Sequence, residues 1–561
     1  MLFDDILGEI GEFGRYQIVS YVVLGMLAIP AGWHNLGITF YGNKLHHHWC
    51  RVKELDEFNN SIKWNVAIPR DDSDDKFEWN KCRMFNLNYS SYRREDFLNW
   101  NRSISENAGT IECNNGWDFV TGFRTVMQDF NLVCGRSALV SLIQSIYFTG
   151  FLLGTIVWGQ FSDSRGRLKT VLITVVVLIV SSIAAAFVPS NNVGYGLFVT
   201  LRFFVGFGVG GSYTTAFVMA MEIIGPKFRA KAGIFVQVWF ALGFMTLPYM
   251  AKAMPNYRTL QLVTGAIPAV FLLCPLVIDE SARWLVAENQ DEKAAKILEK
   301  IARWNNTTLP ANLNLEENRK NIVSDRKYTV ADLIKTPNLR KITLNMWVNW
   351  LVVSLVYYGL SLEAGNMGNL DFYLSNFISG AVEIPACLFT ILILDRIGRK
   401  IPVLGTTLFG GASCLIAIAF MKNTNSVALT VCSVIGKFFV SMAFAVIYVW
   451  AAEVFPTVVR NVGVGGSSMA ARVGSLAAPQ IGRLKETWRP LPFVIFGGTS
   501  LISCVCSFFI PETLNKHLPE TIEDGELFGT SKAKVKPIED EVYTISKSDL
   551  GQENLDDKKK E

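Results

Sequence analysis

Gly159-Gln-Phe-Ser-Asp163-Ser-Arg165-Gly166-Arg167 is echoed by Asp395-Arg396-Ile-Gly398-Arg399. In both, a glycine and then an arginine stand three and four positions after the aspartate, and the copies lie 232 residues apart. A second pair of charges repeats in nearly the same frame. Glu222 is followed seven residues later by Arg229, and Glu453 seven later by Arg460, at an offset of 231. Agreement at four charged positions marks a duplicated unit rather than a coincidence.

Outward from these motifs, long apolar runs alternate with polar joints. Runs able to cross a hydrocarbon core of about 30 Å fall at 17–38, 137–160, 169–188, 194–221, 230–252 and 258–278. After a polar gap they resume at 342–363, 370–394, 401–421, 427–451, 461–483 and 491–511. The expected fold is an all-α membrane protein of twelve transmembrane helices in two six-helix pseudo-repeats. Its parts are an N-terminus (1–16), a first half (17–278) holding a large loop (41–135), a central loop (279–341), a second half (342–511) and a tail (512–561). Half of the 561 residues are hydrophobic and only 18% are charged, so the length signals spans and not soluble domains. A net charge of +4 with no basic-aromatic interleaving argues against nucleic acid as a partner and leaves the lipid bilayer.

Arg165, Arg167 and Lys169, then Lys227, Arg229 and Lys231, then Arg396, Arg399 and Lys400, then Arg460 gather in alternate joints, which the positive-inside rule makes cytoplasmic. Both termini are then inside and the 41–135 loop outside. That loop holds the disulfide candidates Cys50, Cys82, Cys113 and Cys134, and sequons for glycosylation at Asn59, Asn88 and Asn101. Sequons at Asn305 and Asn306 fall on the inner side, as chance matches. Met1–Arg15 is acidic and lacks a secretory cleavage site, so the first run stays in the mature chain. In the central loop Ala294, Ile297, Leu298 and Ile301 recur at helical spacing among charges, which predicts an amphipathic helix lying along the inner membrane surface. The tail beyond Glu512 has no apolar periodicity, and much of it is expected to be disordered.

The repeated charges have a physical use. A carboxylate at the end of a span can pair with a loop arginine and accept from helix N-terminal amides, closing the inner side when the halves meet. The plainer alternative is that they set topology as static ion pairs.

The Gly-x-x-x-Asp-x-x-Gly-Arg motif and its echo resemble the signature of the major facilitator superfamily. Phe130-Asn-Leu-Val-Cys134, Glu280-Ser-Ala-Arg283-Trp-Leu, Pro511-Glu-Thr, Leu518-Pro-Glu-Thr-Ile-Glu-Asp524, Tyr357-Tyr-Gly-Leu-Ser-Leu and Glu453-Val-Phe-Pro-Thr-Val-Val-Arg-Asn461-Val-Gly463 are similar to motifs of its organic cation, organic anion and carnitine transporter family. Ser164, where a basic residue is usual, and Asp279, where proline is usual, depart from the pattern. The resemblance implies a midplane cavity between two halves that alternate between inward-open and outward-open states, usually in the plasma membrane. It implies no cofactor, and it leaves open a sodium or proton coupling ion.

Charges deep in spans then carry the substrate reading. Arg472 needs an anionic partner, permanent or transported, and resembles the arginine of anion and carnitine carriers. Glu383 attracts a cation and resembles the cation and carnitine carriers, whereas the anion carriers' lysine position holds Cys387. Together they suit a small organic cation or a zwitterion of the carnitine or carcinine sort. Lys437 resembles a lysine of carnitine and anion carriers. Glu383 and Arg472 could instead pair with each other, or with Lys437. The alternative carriers are an organic anion exchanger using Arg472 and Lys437, and a polyspecific cation uniporter using Glu383. Trp350, Tyr357, Tyr358, Phe444 and Tyr448 could cage an ammonium or simply pack; Gln237 could bond solute or a neighbouring helix. For His34 and Asn35 interhelical hydrogen bonds are preferred over a proton relay. His46, His47 and His48 beside Cys50 are read as part of the disulfide segment and not a metal site. No nucleophile elbow, phosphate loop or zinc-helix motif points to an enzyme. Glycine-rich Gly206–Gly211 lies inside a span, where it serves close packing. A receptor or channel fits the duplicated halves less well than a carrier.

Overall fold

The computed structural model describes residues 3–42, 48–71, 78–119, 122–310, 328–366, 370–421 and 426–530. Among them ten helices are long and apolar enough to cross a membrane. Spans 1 to 6 are Arg15–Tyr41, Cys134–Arg165, Arg167–Ala186, Asn192–Ile223, Pro226–Ala253 and Tyr257–Leu276. Spans 8, 9, 10 and 12 are Phe372–Ile397, Lys400–Phe420, Val427–Val454 and Leu491–Phe508. Spans 7 and 11, Pro337–Glu363 and Arg460–Arg483, are helices of 27 and 24 residues that carry more polar side chains and complete the twelve.

Local chemistry explains the joints. Gly166 and Gly398 end spans 2 and 8 at φ of 106° and 92°, a region costly for any other residue. Proline opens spans 5 and 7, where its missing N–H costs nothing. The side chains of Asn191 and Asp371 cap the starts of spans 4 and 8. Span 1 is broken near Leu27, one turn before the ring of Pro30.

Spans 2 and 4 pack against each other through glycine: a side chain on Gly206 or Gly210 would strike the backbone of Tyr147 or Phe151. The Gly206–Gly211 run therefore packs helices. In the second half spans 7 and 11 run together, with Gly474 against the backbone of Leu351. The halves meet where span 2 crosses 11 and span 5 crosses 8. These pairs exchange under the six-span repeat.

The loop after span 1 is a small module with its own core of Trp49, Leu55, Val66, Met84, Tyr89 and Phe97. Three two-stranded ladders frame it, pairing His48–Cys50 with Trp117–Phe119, Arg70–Asp71 with Glu78–Trp79, and Arg83–Phe85 with Thr110–Glu112. Disulfides Cys50–Cys113 and Cys82–Cys134 use all four candidate cysteines. Asn59, Asn88 and Asn101 are exposed on it. His48 Nε2 lies 4.0 Å from Cys134 Sγ, and the bridged sulfurs leave no thiolate for a metal. His46 and His47 lie outside the described residues.

The opposite face carries the basic loops and corrects one expectation. The amphipathic helix Asp291–Trp304 does not turn its apolar side to lipid. Ala294, Leu298, Ile301 and Ala302 are buried in the same core as Phe3, Ile6, Leu7 and Ile10 of the N-terminal helix Phe3–Ile10, because that helix supplies the apolar cover. The chain beyond Glu512 is ordered as far as Thr530, fastened where Glu526 accepts from Asn338 N and Leu339 N at the start of span 7. Residues 531–561, the rest of the tail expected to be disordered, lie outside the described residues.

Candidate functional site

Midway along span 8, Glu383 is 2% exposed, and its Oε1 is 2.7 Å from Lys437 Nζ of span 10. Tyr357 OH of span 7 donates to the same oxygen at 2.8 Å, and Lys437 donates to Ser361 Oγ at 2.5 Å. Of the partners open in the sequence, Glu383 takes Lys437, and not Arg472.

Arg472, on span 11 and 4% exposed, enters no ion pair among the described residues. Its guanidinium stacks 4.3 Å over the ring of Phe151 on span 2, across the boundary between halves, and it faces the hydroxyls of Tyr358 and Tyr448. Its Nε has no hydrogen-bond partner among the described residues, and neither have the buried Trp350 Nε1 and Ser354 Oγ on span 7. Of the two partners open for Arg472, permanent or transported, no permanent anion stands among the described residues, and aromatic rings face it instead.

The expected aromatics do converge. Ring centres lie 4.3 Å apart for Trp350 and Tyr448, 5.2 Å for Tyr357 and Phe444, 5.1 Å for Tyr357 and Tyr358, and 5.6 Å for Phe444 and Tyr448. Gln237 of span 5 accepts from the Cys387 thiol at 3.6 Å, another contact between halves. Asn35 is an interhelical knot: it accepts from Tyr147 OH at 2.6 Å and reaches Tyr358 OH at 3.5 Å.

Arg202, inside span 4, is a residue the sequence reading did not single out. It is fully buried, donates to the carbonyl of His34 at 3.0 Å and stacks over Tyr147 and Tyr41 at 4.7 and 5.4 Å. A lone arginine in a long apolar helix was its available signal.

At the basic-loop face the repeated charges bind within their own halves. Arg167 pairs with Asp163 at 2.7 Å and Glu222 at 3.1 Å, and Arg399 with Glu453 at 2.8 Å. Arg229 leaves Glu222 for Asp4 at 3.0 Å, and Arg460 Nη2 donates to Thr457 Oγ1 at 3.0 Å instead of meeting Glu453. Arg165 and Arg396 are exposed and enter no ion pair among the described residues. Lys231 and Asp395, 3.6 Å apart and both exposed, form a charge pair between halves on this face. The loop charges thus brace each half more than they bolt the two together.

Among the carboxylates on helix N-termini, Glu280 and Glu512 take matching places in the two halves. Glu280 accepts from Arg167 N at 2.8 Å, and Glu512 from Arg399 N at 3.0 Å and Lys400 N at 2.9 Å. They stand 232 residues apart, the offset of the aspartates, so the repeat itself could have found them. Burial works against the charge of Glu512, yet the N–H groups of Arg399, Leu514, Lys400 and Thr513 hold its carboxyl below the ordinary range. The unusual Asp279 has local partners, Lys300 at 2.6 Å and the hydroxyl of Tyr16 at 3.1 Å.

On the module face the halves touch. Ser145 of span 2 donates to Leu476 O at 3.0 Å and accepts from Gln480 of span 11 at 3.1 Å, and Ser137 donates to Glu486 at 3.3 Å. Phe40 of span 1 meets Phe372 of span 8 edge-on at 5.5 Å and stacks on Tyr373 at 6.3 Å.

Residues 85–524 match the family model described as "Sugar (and other) transporter". An organic cation transporter protein of Drosophila melanogaster is 35% identical over 557 residues, covering 96% of this chain and 97% of its own. Solute carrier family 22 member 3 of Rattus norvegicus is 33% identical, with 94% and 96% covered, and member 13 of Homo sapiens 33%, with 97% of each. Among solved structures the xylose transporter of E. coli, in a partially occluded inward-open conformation, superposes with a TM-score of 0.62 at 14% identity over 90% of this chain and 100% of that one, a likeness of fold. The chain is thus a membrane transporter and not an enzyme, a member of the major facilitator superfamily and, within it, of the family of organic cation transporters and solute carrier 22 proteins.

Proposed function

We propose that this chain carries small organic cations or zwitterions of the carnitine or carcinine type by alternating access. The ammonium is taken by Glu383 and the aromatic faces of spans 7 and 10, the carboxylate by Arg472. The observation that carries the reading is the asymmetry of the two buried charges: Glu383 has a displaceable partner in Lys437, while Arg472 has only rings and hydroxyls. A carboxylate would fill that gap with a bidentate fork. The relatives named as organic cation transporters support the ammonium side. The module face is taken to be extracellular and both termini cytoplasmic, in the plasma membrane. The loop cysteines and sequons support that orientation.

One observation favours a second reading. Among the described residues Glu383 is the single acidic side chain buried within the spans, against Lys437, Arg472 and Arg202 at depth and Arg167 at the start of span 3. Such an excess suits organic anion exchange through Arg472 and Lys437. Uptake of labelled carnitine, tetraethylammonium and a dicarboxylate, with Arg472→Ala and Glu383→Gln in parallel, separates the readings. Carnitine entry abolished by either change at constant surface expression is the expected result. Dicarboxylate entry alone points to the exchanger, and tetraethylammonium entry untouched by Arg472→Ala to a cation uniporter.

A further inference from the structure

Lys437 occupies a seat built for an ammonium. Its Nζ is 2.7 Å from Glu383 Oε1, donates to Ser361 and lies 3.3 Å from the centre of the Tyr357 ring, whose hydroxyl donates to the same carboxylate. A carboxylate and an aromatic face are what an organic cation needs on leaving water. Here a tethered primary ammonium uses both.

A solute that takes this seat must deal with the lysine. The side chain is 2% exposed. The titratable groups beside it on the packed helices are Tyr357 of span 7, Glu383 and Cys387 of span 8 and, next to Gly436, Cys414 of span 9. None but Glu383 offers a carboxylate. An organic cation arriving while Lys437 stays charged would set four positive groups, counting Arg472 and Arg202, against that one acid. The two arginines keep their protons, whereas a lysine can give its proton up.

We propose that Lys437 is the coupling group of this carrier: an organic ammonium entering the Glu383 seat expels the Lys437 proton, so that one cation exchanges for one proton. The proposal rests on the cation reading above. In the step, an N–H bond of the Lys437 ammonium breaks and its electron pair stays on nitrogen as a neutral amine. The proton passes to water on the side to which the site is then open. Glu383 keeps one positive partner throughout. When the cation leaves to the opposite side, the amine takes a proton from there, and the returning carrier moves it back.

The test uses the full-length chain in proteoliposomes with a trapped pH dye, equal pH on both sides, and tetraethylammonium or carnitine outside, whichever enters faster. The lumen is expected to become alkaline as the solute enters, one proton leaving per ammonium. Raising the outside pH by one unit tightens half-saturation by about tenfold while Lys437 starts protonated, the slope of a one-for-one exchange. Lys437→Met is expected to admit solute without alkalinisation, driven instead by an inside-negative potential. Wild-type entry with no change in lumenal pH overturns the proposal while leaving the transport reading intact. Entry of neither solute refutes that reading instead. The wild-type measurement decides even where Lys437→Met fails to fold.

Discussion

Arg472 works by shape as well as charge. Its guanidinium carbon lies 4.3 Å over the Phe151 ring, so a lysine there would keep the positive charge but lose the planar group and, with it, the two-pronged grip on a carboxylate proposed above. Arg472→Lys is expected to lower carnitine uptake about tenfold, equivalent to ~1.4 kcal/mol of lost binding. Saturation curves at matched surface expression check this; unaltered half-saturation would mean that a point charge suffices. At this scale the sequence was informative about which residues matter and mute about whom they meet. Arg472, Glu383 and Lys437 stood out because ionised groups in apolar runs are rare. The choice of Lys437 as the partner of Glu383 depends on how spans 8 and 10 are rotated against each other. Arg229 was read beside Glu222, seven positions away, yet its partner Asp4 is 225 residues distant. Such contacts are set by tertiary packing, which spacing along one helix does not encode.

Elements are held by carboxylate latches, among them a matching pair, Glu280 on the start of span 3 and Glu512 on the start of span 9. Glu512→Gln is expected to cost about 1 kcal/mol at neutral pH, allowing for solvent on its half-exposed side. Because the folded carboxyl titrates below the ordinary value of 4.5, its stabilisation is complete above that value and fades as pH falls through the lower, folded one. Thermal unfolding of wild type and Glu512→Gln in detergent should therefore differ at pH 7 and converge in acid. A gap that persists unchanged would assign the effect to packing. Boundaries of most spans were legible to within a few residues, since hydropathy and the Gly166 and Gly398 joints are local. The cover over helix Asp291–Trp304 was not, because an apolar stripe reads the same whether lipid or the N-terminal helix lies on it.

As a whole, the molecule is touching at its module face through spans 2 and 11, where Ser145 meets Gln480 and Leu476. Cysteines at Ser145 and Gln480, bridged by a short bifunctional thiol reagent, should stop transport, and reducing the link should restore it. Continued uptake in the linked protein would place the moving boundary elsewhere. The twelve-span plan was readable from the duplicated motif, which fixes symmetry without any distance. The conformation was not, since one sequence must serve two arrangements of the same halves. Spans 7 and 11 add a consequence for biogenesis. They are the two spans too polar to count as membrane-crossing on apolarity alone, and they lie side by side. An arginine at the centre of a helix opposes partition into the bilayer by roughly 2.5–3.5 kcal/mol. Span 11, which carries Arg472, is therefore poorly retained in lipid by itself when it leaves the ribosome, and its companion span 7 was made about a hundred residues earlier. Insertion of span 11 must then lean on a span 7 already held in the membrane. Substitutions that make these helices greasier would speed membrane entry while emptying the carrier of its chemistry.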